Sequence, residues 1–373
     1  MHIGLFCPTI NVYGGGEFVA FTMANSLAES GHEVNLFTSQ EISQTEIKKF
    51  FGKRLNLSIK VIVKPTSIPA KGILSFYQSI LRSHDFKKKC DLWIDAYTNC
   101  LFPWTNICYV HFPFLNHLRF KKQFPYFKCS PLPQVAYAPY VFFEKKRAQT
   151  KGKLLVANSQ YTADEIKRFS DKKAEVLYPP VSSTFFAGNT RDMLSNKRED
   201  LVVTISRFSV GKGLENIPNI ANLIDENIKF TIMGRIHYEH VLVELRKVLN
   251  TLSLAEKVKI LTDVSKPNLQ ANLKRAKIYL HTMVGEGFGI SIVEAMAMGC
   301  IPIVHNSGGP REFVPKEYRY ETNLEAVEKI KKGIHDWSPS KALEMRNIAK
   351  EFNEENFCKR FISLFRNYTQ NRI

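Results

Sequence analysis

Long apolar runs are missing from this 373-residue chain. No uninterrupted apolar stretch approaches the about 18 residues that a membrane-spanning helix needs, so we expect no such helix. The chain begins directly with the apolar Ile3-Gly-Leu-Phe6 and lacks the basic segment and cleavage site of a signal peptide, so we expect a first strand there. Low-complexity tracts and internal repeats are also missing, which argues against a solenoid.

Paired cysteines and metal-binding acidic motifs are missing as well. The seven cysteines are odd in number, scattered and never spaced Cys-x-x-Cys. This pattern predicts free thiols in a reducing compartment and no metal site built on cysteine. The sequence contains no Asp-x-Asp, so it does not indicate a bound divalent cation. We therefore expect no metal and no cofactor.

Acidic residues are scarce relative to basic ones. The chain has 35 Asp and Glu against 52 Lys and Arg, a formal net charge of +17, and the excess is concentrated in the first 155 residues. This excess of positive charge favours anionic partners such as lipid headgroups, diphosphate or nucleic acid. A solvated basic face without a dedicated partner is the alternative. Composition is otherwise ordinary for a globular protein, and the length suggests two domains.

Strand and helix patterns alternate twice along the chain. The first series predicts strands at 2–7, 33–38, 58–63, 91–95, 106–111 and 153–157, with a helix at 17–30. The second series predicts strands at 201–205, 229–233, 257–261, 277–281 and 301–304. Such alternation predicts two α/β domains, each with a doubly wound, Rossmann-like parallel sheet, facing each other across a cleft. A polar stretch at 181–200 indicates a linker, so we predict domains at 1–180 and 201–354.

One glycine-bearing loop places two carboxylates beside the start of a helix. Glu286 and Glu294 flank it, a strand is predicted just before it, and a helix is predicted from Ile292 to Met298. Amides at a helix N-terminus attract phosphate, and ionised carboxylates accept hydrogen bonds from sugar hydroxyls. The segment therefore suggests a nucleotide-sugar site. Alternatively, Ser291 and Glu294 form a simple capping box and Glu286 is a solvated loop acid.

The same segment resembles the retaining glycosyltransferases of family 4. Glu286 and Glu294 match the family's pair of glutamates with seven residues between them, and the longer string from His281 to Pro310 is similar to its α-1,2-mannosyltransferases that extend dolichol-linked oligosaccharide, and to prokaryotic relatives. The resemblance implies the GT-B fold, with the last helix, 355–369, crossing back to the N-terminal domain. It implies retaining transfer of a hexose, best matched by mannose from GDP-mannose, onto a lipid-linked or other glycan.

Two cations follow the strand at 201–205. Arg207 and Lys212 stand at its carboxyl end, where ligands bind in open α/β sheets. Fixed cations there can neutralise a diphosphate leaving group without a metal, whereas taken alone they could be two surface cations. The arginine-then-lysine pattern of the family favours the diphosphate role. The resemblance also implies donor contacts at Gly234, Gly287, Phe288, Gly289 and Ile290.

The N-terminal half holds two further candidates. Gly14-Gly15-Gly16-Glu17 follows the first strand, but Val19 stands where a dinucleotide-binding fingerprint needs its third glycine, so a plain tight turn is the alternative. The resemblance implies that Gly15 and Gly16 face the donor. His111 ends a predicted strand; a lone histidine is more often structural, but the family implies that it contacts the transferred sugar. The sites predicted as catalytic are thus Glu286, His111, Arg207 and Lys212.

Basic and aromatic residues alternate between 115 and 150. This pattern favours docking on an anionic membrane, although the aromatics could instead fill a core. We therefore predict a cytoplasmic enzyme, peripheral on the cytosolic face of a membrane. Alternatives are a glucosyl- or N-acetylglucosaminyltransferase that uses a UDP-sugar, or a basic protein that binds nucleic acid or glycan without catalysis. No recognised nucleic-acid motif supports binding of nucleic acid, so we expect no such partner.

Overall fold

The computed structural model describes residues 1–63, 90–97, 104–112, 142–143, 145–187, 198–224 and 227–371. Over these residues the chain divides into two compact units. The first unit contains residues 1–180 and 354–373, and the second contains residues 181–353. Each unit is built on one parallel sheet, so the predicted pair of α/β domains with Rossmann-like sheets is confirmed.

The first unit carries a seven-stranded sheet in the order β3-β2-β1-β4-β5-β6-β7. Its strands are β1 (His2–Phe6), β2 (Glu33–Thr38), β3 (Lys60–Val63), β4 (Leu92–Asp95), β5 (Ile107–Val110), β6 (Leu154–Ala157) and β7 (Glu175–Val176). Nearly all residues of β1, β4, β5 and β6 are buried, as expected for a parallel sheet covered on both faces. The strand order reverses between β1 and β4, a position where open α/β sheets form a crevice.

Four of the described helices belong to the first unit: α1 (Gly15–Glu29), α2 (Gln44–Phe51), α3 (Gln160–Ser170) and the last helix of the chain, Glu354–Gln370. That last helix packs against α1 and buries Phe357, Phe361 and Phe365. The side chain of Lys53 donates to Glu354 at its first turn, at 3.0 Å. The C-terminal segment therefore belongs to the first unit, far from it in sequence.

The second unit carries a six-stranded sheet in the order β10-β9-β8-β11-β12-β13. Its strands are β8 (Glu199–Ile205), β9 (Lys229–Gly234), β10 (Val258–Thr262), β11 (Ala276–His281), β12 (Ile301–His305) and β13 (Arg319–Tyr320). Its helices are α4 (Asn216–Asn222), α5 (Glu239–Thr251), α6 (Lys266–Arg275), α7 (Ile290–Ala297), α8 (Asn323–Asp336) and α9 (Pro339–Lys350), so that the last helix of the chain is α10. The order reverses between β8 and β11.

Every strand predicted from the sequence is present within two residues of its predicted ends. The two strands that the sequence did not predict, β7 and β13, have only two residues each. The described parts of the predicted linker at 181–200 belong to the second unit. Val181 and Phe185 are buried there, and β8 already begins at Glu199. The apolar side chains that anchor this stretch are too few to form a recognisable periodic pattern.

A buried arginine that the sequence did not single out holds the second sheet together. The guanidinium of Arg198 donates to the carbonyls of Leu273, Ala276 and Met298, at 3.0, 2.6 and 2.5 Å. It also lies over the ring of Trp337, 5.1 Å from the centroid. These bonds join the end of α6, the start of β11 and the end of α7, and burial lowers the pKa of Arg198.

Candidate functional site

Three charged or polar side chains meet where the second sheet reverses its strand order. Lys212 follows β8, His281 ends the neighbouring β11, and Glu286 follows it. Nζ of Lys212 donates to Oε2 of Glu286 at 3.0 Å, and Nε2 of His281 lies 3.4 Å from the same oxygen. We call Lys212, His281 and Glu286 the charge cluster. The sequence predicted roles for Lys212 and Glu286, whereas His281 appeared only as one letter of the family string.

The charge cluster keeps Glu286 ionised. Burial by itself would raise the pKa of Glu286, but the ammonium of Lys212 and the imidazole of His281 outweigh it and lower the pKa well below its usual range. The other carboxylate oxygen, Oε1, accepts from the amide of Gly287 at 3.1 Å. The predicted diphosphate-binding amide of Gly287 is thus already used by the neighbouring side chain. An ionised, partly buried carboxylate of this kind is a strong hydroxyl acceptor.

The loop at 285–289 is held by the residues that follow β12. The amide of Gly285 donates to the hydroxyl of Ser307 at 2.8 Å, and the amide of Gly309 donates to the carbonyl of Glu286 at 2.9 Å. A Cβ at Gly309 would stand 2.0 Å from the carbonyl oxygen of Gly287, so only glycine permits this approach. Sequence reasoning assigned no role to Ser307, because its partner lies 22 residues away.

Helix α7 begins without a side-chain cap, at a different residue from the one that the capping-box alternative requires. Its N-cap is Gly289, in a left-handed conformation with φ 93°, and no side chain caps it. The hydroxyl of Ser291 instead accepts from Tyr279 at 2.8 Å. The capping-box alternative is therefore wrong, and Glu294 does not close the first turn. Ile290 opens the helix and is half-buried.

The side chain of Phe288 is buried in the second unit. Its ring packs against Phe313 and Phe352, with centroids 5.0 and 5.2 Å away, and is 1% exposed. Since the ring is buried, Phe288 can contact the nucleotide sugar only through its backbone. The ring instead anchors the loop to the core.

Glu294 lies in a different environment from Glu286. Burial raises the pKa of Glu294 to about 7, and the ammonium of Lys266 offsets the effect only in part. Among the described residues, no hydrogen bond or ion pair reaches its carboxylate. Lys266 is the first residue of α6. The residues just before it, including Thr262, Asp263 and Ser265, line a cavity of about 600 Å³. Glu294 therefore has free acceptor capacity beside a loop that borders a cavity.

Arg207 and Gly234 lie at the same edge of the sheet. Arg207 is exposed after β8, and its charge, together with burial as the larger cause, lowers the pKa of His237. Gly234 ends β9, where a Cβ would stand 1.7 Å from the carbonyl oxygen of Ser206. The structure thus explains this glycine by close packing of two loops, and it shows no direct contact of Arg207 with the charge cluster.

The candidates of the first unit also meet at the carboxyl ends of its strands. His111 directly follows β5, and its Nε2 donates to the carbonyl of Ala96 at 2.7 Å. Burial lowers the pKa of His111, so the ring is neutral near pH 7 and Nδ1 is an acceptor. The ring stands over Gly16, where a Cβ would be 3.5 Å from it. The structure therefore brings Gly16 and His111 together.

The glycine run before α1 has a structural cause. Gly14 is the N-cap of the helix, and its amide donates to Glu17 at 3.1 Å in a capping box. Glu17 also accepts from the hydroxyl of Thr9 at 2.8 Å. Gly15 is exposed at the first helical position. The tight turn and the accessible glycine predicted here are therefore compatible.

Only the end of the predicted membrane-docking segment lies within the described residues. Phe142 and Phe143 are 53% and 45% exposed, with Lys146 and Arg147 over their rings. Residues 115–141 and 144 of that segment lie outside the described residues. In the part of the chain that the structure covers, no helix combines the length and apolar character needed to cross a bilayer.

The described residues contain neither a metal-binding cluster nor a disulfide. Among them, no group of three or more His, Cys, Asp or Glu side chains is arranged to hold a metal ion. Cys7, Cys90, Cys108, Cys300 and Cys358 are free thiols. Burial raises the pKa of Cys300 to about 11, so this thiol is unreactive at neutral pH.

Two protein-family models match the chain, one for each half. The model "Glycosyltransferase Family 4" matches residues 13–185, and the model "Glycosyl transferases group 1" matches residues 189–355. Together they leave only the two ends and residues 186–188 unmatched. The first model covers most of the N-terminal part of the first unit and extends five residues into the second, and the second model contains the charge cluster and Glu294.

Similar proteins agree with these models. The chain is 24% identical over 420 residues to a GDP-Man:Man(3)GlcNAc(2)-PP-Dol alpha-1,2-mannosyltransferase of Dictyostelium discoideum, covering 96% of this chain and 83% of the relative. A protein of that name from Xenopus tropicalis is also 24% identical, covering 97% and 86%.

Among solved structures, Anabaena HepE in complex with UDP and glucose matches with a TM-score of 0.74 at 17% identity, covering 98% of this chain and 99% of that one. The likeness shows the shared GT-B fold. Because both family models describe glycosyltransferases and together match nearly the whole chain, the protein belongs to glycosyltransferase family 4.

Proposed function

We propose that the protein transfers mannose from GDP-mannose, with retention of configuration, to a lipid-linked glycan. The observation that carries the proposal is the contact of Lys212 with Glu286 at the reversal point of the second sheet. A cation for the leaving diphosphate and an acid for the sugar hydroxyls are thereby in direct contact. The names of the relatives from Dictyostelium discoideum and Xenopus tropicalis support the donor and the acceptor class.

The donor binds along the carboxyl edge of the second sheet. Glu286 accepts hydrogen bonds from hydroxyls of the mannose, and Glu294 accepts from the ribose. Arg207, Lys212 and amides at the start of α7 stabilise the diphosphate, in keeping with the attraction of a helix N-terminus for anions. The proximity of Lys266 to Glu294 supports placing the guanine at the adjoining cavity near Asp263. The backbone of Gly234, at the end of β9, contacts the nucleotide.

The reaction proceeds by attack of the acceptor hydroxyl on the face from which the diphosphate departs. The acceptor oxygen bonds to the anomeric carbon, the bond from that carbon to the diphosphate oxygen breaks, and the hydroxyl proton passes to the diphosphate. This route needs no protein nucleophile, and Arg207 and Lys212 supply the positive charge that a metal ion would otherwise supply. His111 accepts from a sugar hydroxyl at Nδ1. Catalysis is accordingly independent of added metal and cofactor.

The acceptor is proposed to reach the enzyme at a membrane. The exposed pair Phe142 and Phe143, with cations stacked over both rings, supports a peripheral position on an anionic cytosolic surface. Aromatic rings suit the headgroup level, and each nearby Lys or Arg adds about 1 kcal/mol of attraction.

A donor panel tests the proposal. Purified protein is incubated with GDP-mannose, UDP-glucose or UDP-N-acetylglucosamine in EDTA, with and without anionic liposomes, and release of the nucleoside diphosphate is measured. We expect nucleoside diphosphate to be released from GDP-mannose and from neither UDP-sugar. The rate of release should fall about 100-fold in Glu286→Gln, because the neutral amide is a poor substitute for an ionised acceptor. Turnover of a UDP-sugar alone, or full activity of Glu286→Gln, would contradict the proposal.

A further inference from the structure

His281 has a buried nitrogen without a hydrogen-bond partner. Its side chain is about 7% exposed, and Nε2 makes no hydrogen bond to any described residue. An unsatisfied buried polar atom costs about 1–3 kcal/mol, so its retention calls for a physical reason. The atom that it faces is Oε2 of Glu286, 3.4 Å away. A normal hydrogen bond needs a separation of about 2.7–3.2 Å, so a small movement of the carboxylate would complete one.

Lys212 faces two competing demands. In the structure its ammonium lies 3.0 Å from Oε2 of Glu286. A nucleotide diphosphate carries more negative charge than one carboxylate, so its arrival draws this flexible ammonium away from Glu286. Glu286 would then lose the cation that stabilises its charge in a half-buried site, where an unpaired carboxylate is costly. A second donor must replace Lys212 if Glu286 is to stay ionised and oriented.

We propose that His281 is the positioning residue that takes over Oε2 of Glu286 when the donor diphosphate engages Lys212. The inference rests on the proposed function, since it requires a diphosphate at Lys212. After the exchange each oxygen of Glu286 keeps one N–H donor: Oε1 that of Gly287, and Oε2 that of His281. The carboxylate thus remains fixed for the sugar hydroxyls while the leaving group gains a cation.

The surroundings hold the imidazole ready for this exchange. His281 is the last residue of β11, and its ring stacks on Tyr279, with centroids 6.3 Å apart and planes 18° from parallel. The hydroxyl of Tyr320 donates to the carbonyl of His281 at 3.1 Å. Both tyrosines are buried. The ring of His281 therefore has little freedom to turn away. The side chains of Glu286 and Lys212 move instead.

Two amide substitutions test whether an N–H donor is needed at the place of Nε2. Both introduce a side-chain amide, but only one of them puts its nitrogen there. In His281→Gln the amide nitrogen occupies the place of Nε2, whereas in His281→Asn it reaches only the place of Nδ1. We expect kcat for GDP-mannose hydrolysis to fall about 10- to 100-fold in His281→Asn, the range of a lost hydrogen bond to a charged group. His281→Gln should recover most of that loss. His335→Asn, at an exposed histidine of α8, is the matched control.

Binding of guanosine separates positioning from simple structural damage. Guanosine has neither diphosphate nor transferred sugar and leaves Lys212 on Glu286, so its Kd, measured by calorimetry, should change less than threefold in His281→Asn. The melting temperature identifies a variant that fails to fold. If His281→Asn fails to fold, wild type is compared with His281→Gln, and a fall of more than tenfold in kcat in that variant contradicts the inference. Equal kcat in His281→Asn and wild type, or parallel losses of kcat and guanosine binding, also contradicts it.

The same experiments distinguish failure of the inference from failure of the proposed function. If the wild type hydrolyses only a UDP-sugar, the donor assignment is wrong, and the two variants are compared with that donor and with uridine. If the wild type turns over GDP-mannose but both variants match it, only the role of His281 is wrong. If no nucleotide sugar is turned over or bound, both proposals are wrong.

Discussion

Glu286 and Glu294 have the same side chain, yet their surroundings shift their pKa values in opposite directions. Both lose water on burial, which raises the pKa of a carboxyl group. At Glu286 the contact with Lys212 outweighs burial, and the group stays ionised. At Glu294 the more distant Lys266 compensates only in part, and the pKa rises to about 7. Only Glu294 therefore titrates near physiological pH.

Glu294→Gln should weaken the dependence of stability on pH. Because the folded-state pKa of Glu294 is above its unfolded value, folding takes up a proton between about pH 4.5 and 7, and the wild type loses stability as pH rises through that window. We expect the free energy of unfolding to fall by about 2–3 kcal/mol more in the wild type than in the variant, measured by denaturant titration at pH 5 and 7.5. Parallel curves for the two proteins would refute the assignment.

The loop at 285–289 owes its shape to the residues after β12. Gly309→Ala places a Cβ against the carbonyl of Gly287, where no flexible side chain can yield, so the loop must move. We expect a loss of about 1–3 kcal/mol in stability, and at least a tenfold loss of GDP-mannose turnover, because amides and Glu286 leave their positions. Both quantities are measured on the same preparation, by denaturant titration and by nucleotide release.

Gly333→Ala is the matched control for that substitution. Its Cβ would crowd the terminal Cδ1 of Ile278, at 2.7 Å, and this atom can turn aside, whereas the other neighbours are at ordinary van der Waals distance. Alanine also favours helix over glycine, and Gly333 lies inside α8. We therefore expect turnover within twofold of wild type. Equal effects of the two substitutions would show that the contact with Gly287 does not determine the loop.

The two units share one chain, and the last helix belongs to the first unit. Removal of residues 354–373 exposes the pocket for Phe357, Phe361 and Phe365, each worth about 1.5–3 kcal/mol of burial. We expect hydrogen exchange to accelerate in α1 and β1 and to remain unchanged in β8 and β11. Removal of 371–373 alone is the control. Uniform acceleration in both units would contradict the division at residues 180 and 354.

Local sequence patterns predicted most of the fold. Most of the features that they did not predict are too short or too dispersed along the chain to form a pattern. Continuous apolar runs revealed the buried strands, whereas the two-residue β7 and β13 are too short for any periodicity. The signal that singled out His111, a histidine at the end of a strand, applied equally to His281 and was not used there. Arg198 carried no signal, since its carbonyl partners lie 75 to 100 residues away.

The order of strands and helices, the glycine-bearing loop and the two glutamates are properties of neighbouring residues, so the chain alone specified them. The pairing of Lys212 with Glu286 spans 74 residues and arises only when the ends of β8 and β11 meet. That meeting decides which glutamate stays ionised, which amide is already used and which histidine faces the acid. Charge interactions depend on distance and burial, and both are set by the folded sheet.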